Sequence, residues 1–156
     1  MDFYYNFRNI ANLKLSFNDN NSNLDSVSFT SSLENGELSH HISSKQQEKI
    51  LYILDNYESN PVIDFTLLNF RRMSGFAYNI YSVLSKIPIG QTISYSTLAA
   101  KAGKPNAARA AGTFMRLNDF PIIIPCHRVV GKNNIGGFSS GLKLKEKLLK
   151  FEQVFI

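Results

Sequence analysis

Proline and glycine cut the second half of this chain into short pieces. Pro88 and Gly90, Gly103 and Pro105, Pro121 and Pro125, Gly131, Gly136, Gly137 and Gly141 fall at close intervals. Each proline removes a backbone donor and fixes φ, and each glycine favours a turn. Only short helices and short extended runs fit between them. Phe76, Ile80, Val83, Leu84 and Ile87 form an apolar stripe that predicts a helix over 71–86. Ser94 can cap a short helix from Tyr95 to Lys101, with Leu98 and Ala99 inward. Pro105 is suited to open a helix that runs to Leu117. Val129-Val130 and Ile135 flank Gly131-Lys132-Asn133-Asn134 and predict a hairpin or wing. A last helix is expected over Leu142 to Glu152.

The first half has a different rhythm. Leu13, Leu15 and Phe17 alternate with polar residues, as do Val27 and Phe29, and both stretches predict half-buried strands. Asn18 to Asn23 and Asn35-Gly36 are turn signals. Ser44 and Gln47 stand at capping-box spacing before a helix over 44–57. The expected organisation is a small α/β unit over 1–69 followed by a mainly helical unit over 70–156.

Charge divides along the same line. The total is +5, yet residues 1–70 carry nine carboxylates against four cations, which is −5, and the remainder carries +10. A strongly basic half suits a polyanion such as DNA; a solvated basic face is the plainer reading. Two short helices around the turn at Gly103 suggest a helix-turn-helix. The second presents Ala107, Ala108, Ala110, Gly112 and Thr113 with Arg109. Small residues admit close approach to a groove and equally suit helix–helix packing.

Composition excludes several classes. A chain of 156 residues with 44% hydrophobic and 19% charged residues is neither collagen-like nor wholly disordered. No apolar run approaches the ~18 residues of a membrane span, and no secretory signal is visible at the N-terminus. One cysteine, Cys126, allows neither an internal disulfide nor a multi-cysteine zinc site, which fits a reducing intracellular compartment. His40-His41 lacks a nearby third ligand, so no metal is expected.

The chemistry-bearing stretch is Pro121-Ile122-Ile123-Ile124-Pro125-Cys126-His127-Arg128-Val129-Val130. An inert core thiol needs no histidine and arginine beside it. A nucleophilic thiol needs a base to form thiolate and positive charge to hold it. Adjacent side chains often cannot touch, so His127 would work through a water, with its other nitrogen held by an acceptor. Glu146 and Glu152 are the glutamates of this half.

Pro125-Cys126-His127-Arg128-Val129 resembles the active-site signature of the O6-alkylguanine-DNA alkyltransferases. The likeness extends through Ile87 to Tyr95, Leu98-Ala99, Gly103 to Gly112, Asn118, Gly136-Gly137, Gly141-Leu142, Lys145-Glu146, Leu148-Leu149 and Glu152, in the family's order. It covers about 76–152; the first half is compatible with the family's variable domain. The resemblance implies a ribonuclease-H-like α/β domain followed by a winged helix-turn-helix domain. It implies direct-reversal repair of double-stranded DNA, in which an alkylated guanine is flipped out and its alkyl group moves irreversibly onto Cys126. O4-alkylthymine is a further possible substrate. No cofactor is implied, and the protein would act once, as an intracellular monomer, cytoplasmic in a prokaryote and nuclear in a eukaryote.

By the same resemblance, His127 is the water-mediated base and Glu152 orients it. Asn118 is the hinge between recognition helix and active-site loop. Tyr95 donates a proton toward the guanine ring. Arg109 fills the gap left in the stack, with Ala107, Ala108, Ala110, Gly112, Thr113 and Arg128 at the DNA or base interface. The amide of Ser139 faces the guanine oxygen, the carbonyls of Cys126 and Val129 face the exocyclic amine, and Met115 walls the pocket. Tyr81 stands where the family has tryptophan, which implies a change in core packing only, and Phe138 stands where an aromatic hydroxyl is common. The rival readings are a lesion-binding module that transfers nothing and a Cys-His hydrolase. The first loses ground because Cys126 is present, and the second lacks an oxyanion-hole motif.

Overall fold

The computed structural model describes residues 1–20, 22–31, 44–70 and 73–154. They form two compact units, Met1–Arg71 and Arg72–Ile156. Asn35-Gly36 and His40-His41 lie outside the described residues.

The first unit is built on an antiparallel sheet of β1 (Asp2–Phe7), β2 (Ala11–Phe17) and β3 (Leu24–Thr30), in that spatial order. Alternation puts Phe3, Tyr5 and Phe7 on the buried face with Leu13, Leu15 and Phe17. The register pairs Tyr5 with Leu13 and Leu15 with Val27, so the apolar positions coincide across all three strands. Helix α1 (Lys45–Asp55) starts where Ser44 accepts from the Gln47 amide, and it buries Ile50, Ile53 and Leu54. The Arg8 guanidinium bonds the carbonyls of Leu54 and Asp55 at the end of α1 and pairs with Glu58. Strand β1 has the same alternation as β2 and was not among the expected strands.

The second unit contains α2 (Gly75–Leu84), α3 (Tyr95–Lys101), α4 (Ala108–Arg116) and α5 (Leu142–Phe151). Two-residue strands β4 (Ile93–Ser94) and β5 (Val129–Val130) pair in parallel, Ile93 with Val129 and Ser94 with Val130. Helix α2 begins later than the stripe predicts, because Ser74 accepts from the Ala77 amide and sets the start there. Helix α4 also starts late. The Ala107 amide bonds the Lys104 carbonyl, so Pro105 sits in a turn and the helix begins after it.

The expected hairpin does not form. The partner of β5 is β4, and residues 131–141 run as an irregular loop. The Asn134 side chain accepts from the Gly136 amide, and Gly136 has φ 72, so the loop turns tightly. The core gathers Ile80, Leu84, Leu98, Ala99, Ala111, Phe120, Ile124, Val129, Leu148 and Leu149. The chain is thus of mixed α and β content, and among the described residues no helix is long and apolar enough to cross a membrane.

Candidate active site

The site is built on the proline-bounded run. After α4 ends, Asn118 folds the chain back: its Nδ2 donates to the Ile124 carbonyl at 2.9 Å and its Oδ1 accepts from the Phe120 amide at 3.0 Å. Ile122 is buried at φ 74, a left-handed conformation that β-branched residues rarely adopt. Asn118 and the Ile124–Phe120 backbone bond hold that strain in place. The chain then enters a short 3-10 helix, Cys126–Arg128, which points successive side chains in different directions.

Cys126 is 5% exposed. Burial pushes its thiol up; hydrogen bonding to Asn118 and the positive charge of Lys145 act against this without reversing it. The resting group is therefore a thiol, and it needs a base to become nucleophilic.

His127 is fully buried, and its Nε2 lies 2.7 Å from Oε1 of Glu152. Burial lowers its pKa against the opposing pull of Glu152, so the ring is neutral near pH 7. A carboxylate only accepts, so Nε2 carries the proton and Nδ1 carries the basic lone pair. Glu152 is in turn held by Arg128, whose Nε and Nη2 each approach a carboxylate oxygen at 2.9 Å. Burial alone would raise the Glu152 carboxyl, but the bonds from His127 and Arg128 outweigh it and hold the pKa at about 2. The ionised carboxylate fixes the histidine tautomer.

Arg128 corrects one expectation. The resemblance puts it at the DNA interface, yet its side chain is buried, with Nη1 on the Ile87 carbonyl at 2.6 Å and the rest on Glu152. A guanidinium committed to a buried carboxylate cannot reach a phosphate.

Above Cys126 lies a cleft of about 290 Å³ lined by Tyr95, Gly112, Met115, Arg116, Cys126, Gly137, Phe138 and Ser139. That is near the lower end of the ~300–1,000 Å³ usual for small-molecule pockets. Five expected site residues meet there: Tyr95, Gly112, Met115, Cys126 and Ser139. The Tyr95 ring stands against Gly136, where a Cβ would approach it to 3.0 Å. Burial raises the Tyr95 pKa, so its hydroxyl is a neutral donor; its nearest acceptor, the Gly137 carbonyl, is 3.5 Å away. Val129 is fully buried, and its carbonyl already accepts from Lys145 at 2.6 Å. Arg109 and Thr113 lie exposed on α4 and outside the cleft, while Ala107, Ala108 and Ala110 are half-buried there.

Two lysine and arginine positions escaped sequence reasoning. Lys145 is fully buried, with Nζ on the carbonyls of Val129 and Gly137, and burial lowers its pKa to about 8. Its neighbours at i+3 and i+4, Leu148 and Leu149, are buried too, which was the available signal. Arg116 lines the cleft from the last turn of α4; it follows Met115 directly, and nothing in the one-dimensional pattern marks it. Among the described residues no group of three or more His, Cys, Asp or Glu could hold a metal ion.

The geometry is that of a cysteine-centred site with its histidine–carboxylate relay already assembled, beneath a cleft beside a small-residue helix. Residues 75–154 match the family described as 6-O-methylguanine DNA methyltransferase, DNA binding domain, and the chain belongs to it. The chain is 38% identical over 101 residues to the methylated-DNA–protein-cysteine methyltransferase of Methanocaldococcus vulcanius, covering 65% of this chain and 59% of that protein. It is 50% identical over 74 residues to the human protein of that name, covering 47% and 36%. The matched part thus spans about three fifths of the archaeal relative and about a third of the human one. Among solved structures, the OGT of Mycobacterium tuberculosis in complex with DNA is similar at TM-score 0.67 and 28% identity, covering 92% of this chain and 88% of that one. The O6-methylguanine-DNA methyltransferase of Pyrococcus kodakaraensis is similar at TM-score 0.71 and 25% identity, covering 92% of both.

Proposed function

We propose that this chain repairs O6-alkylguanine in double-stranded DNA by moving the alkyl group, once, onto Cys126. The observation that carries this reading is the buried Cys126–His127–Glu152 arrangement directly beneath a base-sized cleft. His127 Nδ1 takes the thiol proton through a water, and Glu152 stabilises the imidazolium that forms. The thiolate attacks the alkyl carbon in line with the bond to O6. An S–C bond forms as the C–O bond breaks, and the electron pair passes to the guanine. Tyr95 donates toward the ring, so that guanine leaves neutral. The product is a thioether with no ready hydrolysis route, and the protein is consumed.

The domain assignments follow the same reading. Residues 1–69 act as a ribonuclease-H-like domain and 70–156 as a winged helix-turn-helix domain. Helix α4 is the recognition helix. Ala107, Ala108, Ala110, Gly112 and Thr113 form its groove face, and Arg109 replaces the flipped base in the stack. Asn118 is the hinge, Met115 the pocket wall, and the Ser139 amide and the Cys126 and Val129 carbonyls read the base edge. The protein works as an intracellular monomer without a cofactor. No observation favours a lesion-binding module.

The test is intact-protein and peptide mass spectrometry after incubation with an O6-methylguanine duplex. One methyl group is expected on the peptide containing Cys126, saturating at one per chain. Binding without a mass gain overturns the proposal in favour of a lesion-binding module.

A further inference from the structure

The sequence implied that tyrosine at position 81 alters core packing and nothing else. The structure gives its hydroxyl a partner. Tyr81 is 6% exposed on α2, and its Oη donates to the Phe114 carbonyl at 2.9 Å. Phe114 lies in the last turn of α4, where the final four carbonyls lack partners within the helix. The amide of Leu117 takes the Thr113 carbonyl, and the Tyr81 hydroxyl takes the next one. The same helix grips Phe114 a second time: the rings of Phe76 and Phe114 meet edge to face, with centroids 5.8 Å apart. The turn held in this way carries Met115 and Arg116 into the cleft and leads straight to Asn118, which folds the loop before Cys126. Burial and the nearby Cys126 raise the Tyr81 pKa, so the hydroxyl stays protonated and remains a donor.

We propose that Tyr81 is a positioning residue for reaction on duplex DNA, holding the end of α4 in register with the cleft through the Phe114 carbonyl. This rests on the proposed function. A flipped nucleotide reaches Cys126 only if the helix on the DNA and the wall of the cleft keep a fixed spacing. A free base entering the cleft by diffusion does not load α4. The bond from Tyr81 is therefore needed more for the first reaction than for the second.

The experiment compares Tyr81→Phe and Tyr81→Trp with the unmodified chain in single-turnover alkyl transfer. The donors are O6-methylguanine in a duplex and O6-benzylguanine as free base, whose benzylic carbon is reactive enough to follow without DNA. Removal of one hydroxyl is expected to slow the duplex reaction about three- to tenfold, the size of one lost hydrogen bond. The free-base reaction should change less than about twofold. Tyr81→Trp retains an N–H donor and is expected to recover part of the duplex rate. Hydrogen exchange at the Leu117 and Phe120 amides should quicken in Tyr81→Phe without DNA. Equal slowing with both donors, no slowing with either, or unchanged exchange at those amides overturns the proposal. If the unmodified chain transfers from neither donor, the proposed function fails, and the exchange measurement alone decides whether Tyr81 braces α4.

Discussion

Within the site, single atoms decide which residues are tolerated. Gly136 is the sharpest case. It has φ 72, and a Cβ there would lie 3.0 Å from both the ring and the hydroxyl of Tyr95 and 3.1 Å from the Gly131 amide nitrogen. Gly136→Ala is expected to destabilise the chain by about 1–2 kcal/mol from the left-handed backbone alone, with the contact adding to it. Urea denaturation measures the first effect; a slower free-base reaction reports the displaced Tyr95. Gly112 is different, since a Cβ there would meet the Tyr95 ring at an ordinary 3.8 Å. That Cys126 stands beside His127 and Arg128 was legible in the chain itself. The role of Arg128 was not, because a sequence shows that a cation is near a thiol and does not show which way its side chain turns.

Among the elements, α4 is the piece on which the proposed reaction on duplex DNA rests. It carries no side-chain N-cap bond, its outer face holds exposed Arg109 and Thr113, and its inner face buries Ala111 and Met115. Arg109→Ala is expected to slow transfer from a duplex much more than transfer from a free base. Its effect on binding should include a salt-dependence slope smaller by about one if it also neutralises a phosphate. Equal slowing with both donors would falsify the stack-filling role. The helices of this half were legible because prolines, glycines and serine caps bound them. The pairing of β4 with β5 was not. Two-residue strands carry no periodicity, and the parallel partner lies 36 positions away in register, Ile93 against Val129. Local turn chemistry at Gly131 to Asn134 favoured a hairpin, and the long-range pairing overrode it.

At the scale of the whole molecule, the relay is also a stability element with a pH signature. Glu152 is buried, with a folded pKa of about 2 against an ordinary value of 4.5. A depressed carboxylate pKa contributes stability that is fully present above 4.5 and lost as pH falls toward 2. The contribution is about 3 kcal/mol for a shift of this size. Denaturation midpoints followed from pH 6 to pH 2 should fall through that window. Glu152→Gln should start lower and fall less, because it leaves the buried Arg128 unpaired at every pH. A variant with the same acid dependence as the unmodified chain would show that other carboxylates govern the fall. The sequence by itself determined the short helices of the second half, two of the three strands of the first, the split in charge and the choice of Cys126 as the candidate nucleophile. Those follow from local rules: caps, breakers, alternation and the chemistry of neighbouring side chains. Tertiary structure decided what sits beside what. Glu152, the C-cap of lysine-rich α5, was tied to His127 by the family resemblance alone, and it lies buried against His127 and Arg128. Lys145, given no role by the sequence beyond its place in the family likeness, is the buried clamp between Val129 and Gly137. Tyr81 reads as packing and holds α4 by its last turn. The reason is the same in each case: burial and hydrogen-bond partnership are set by elements distant in the chain, and a one-dimensional pattern records only the periodicity of its own segment.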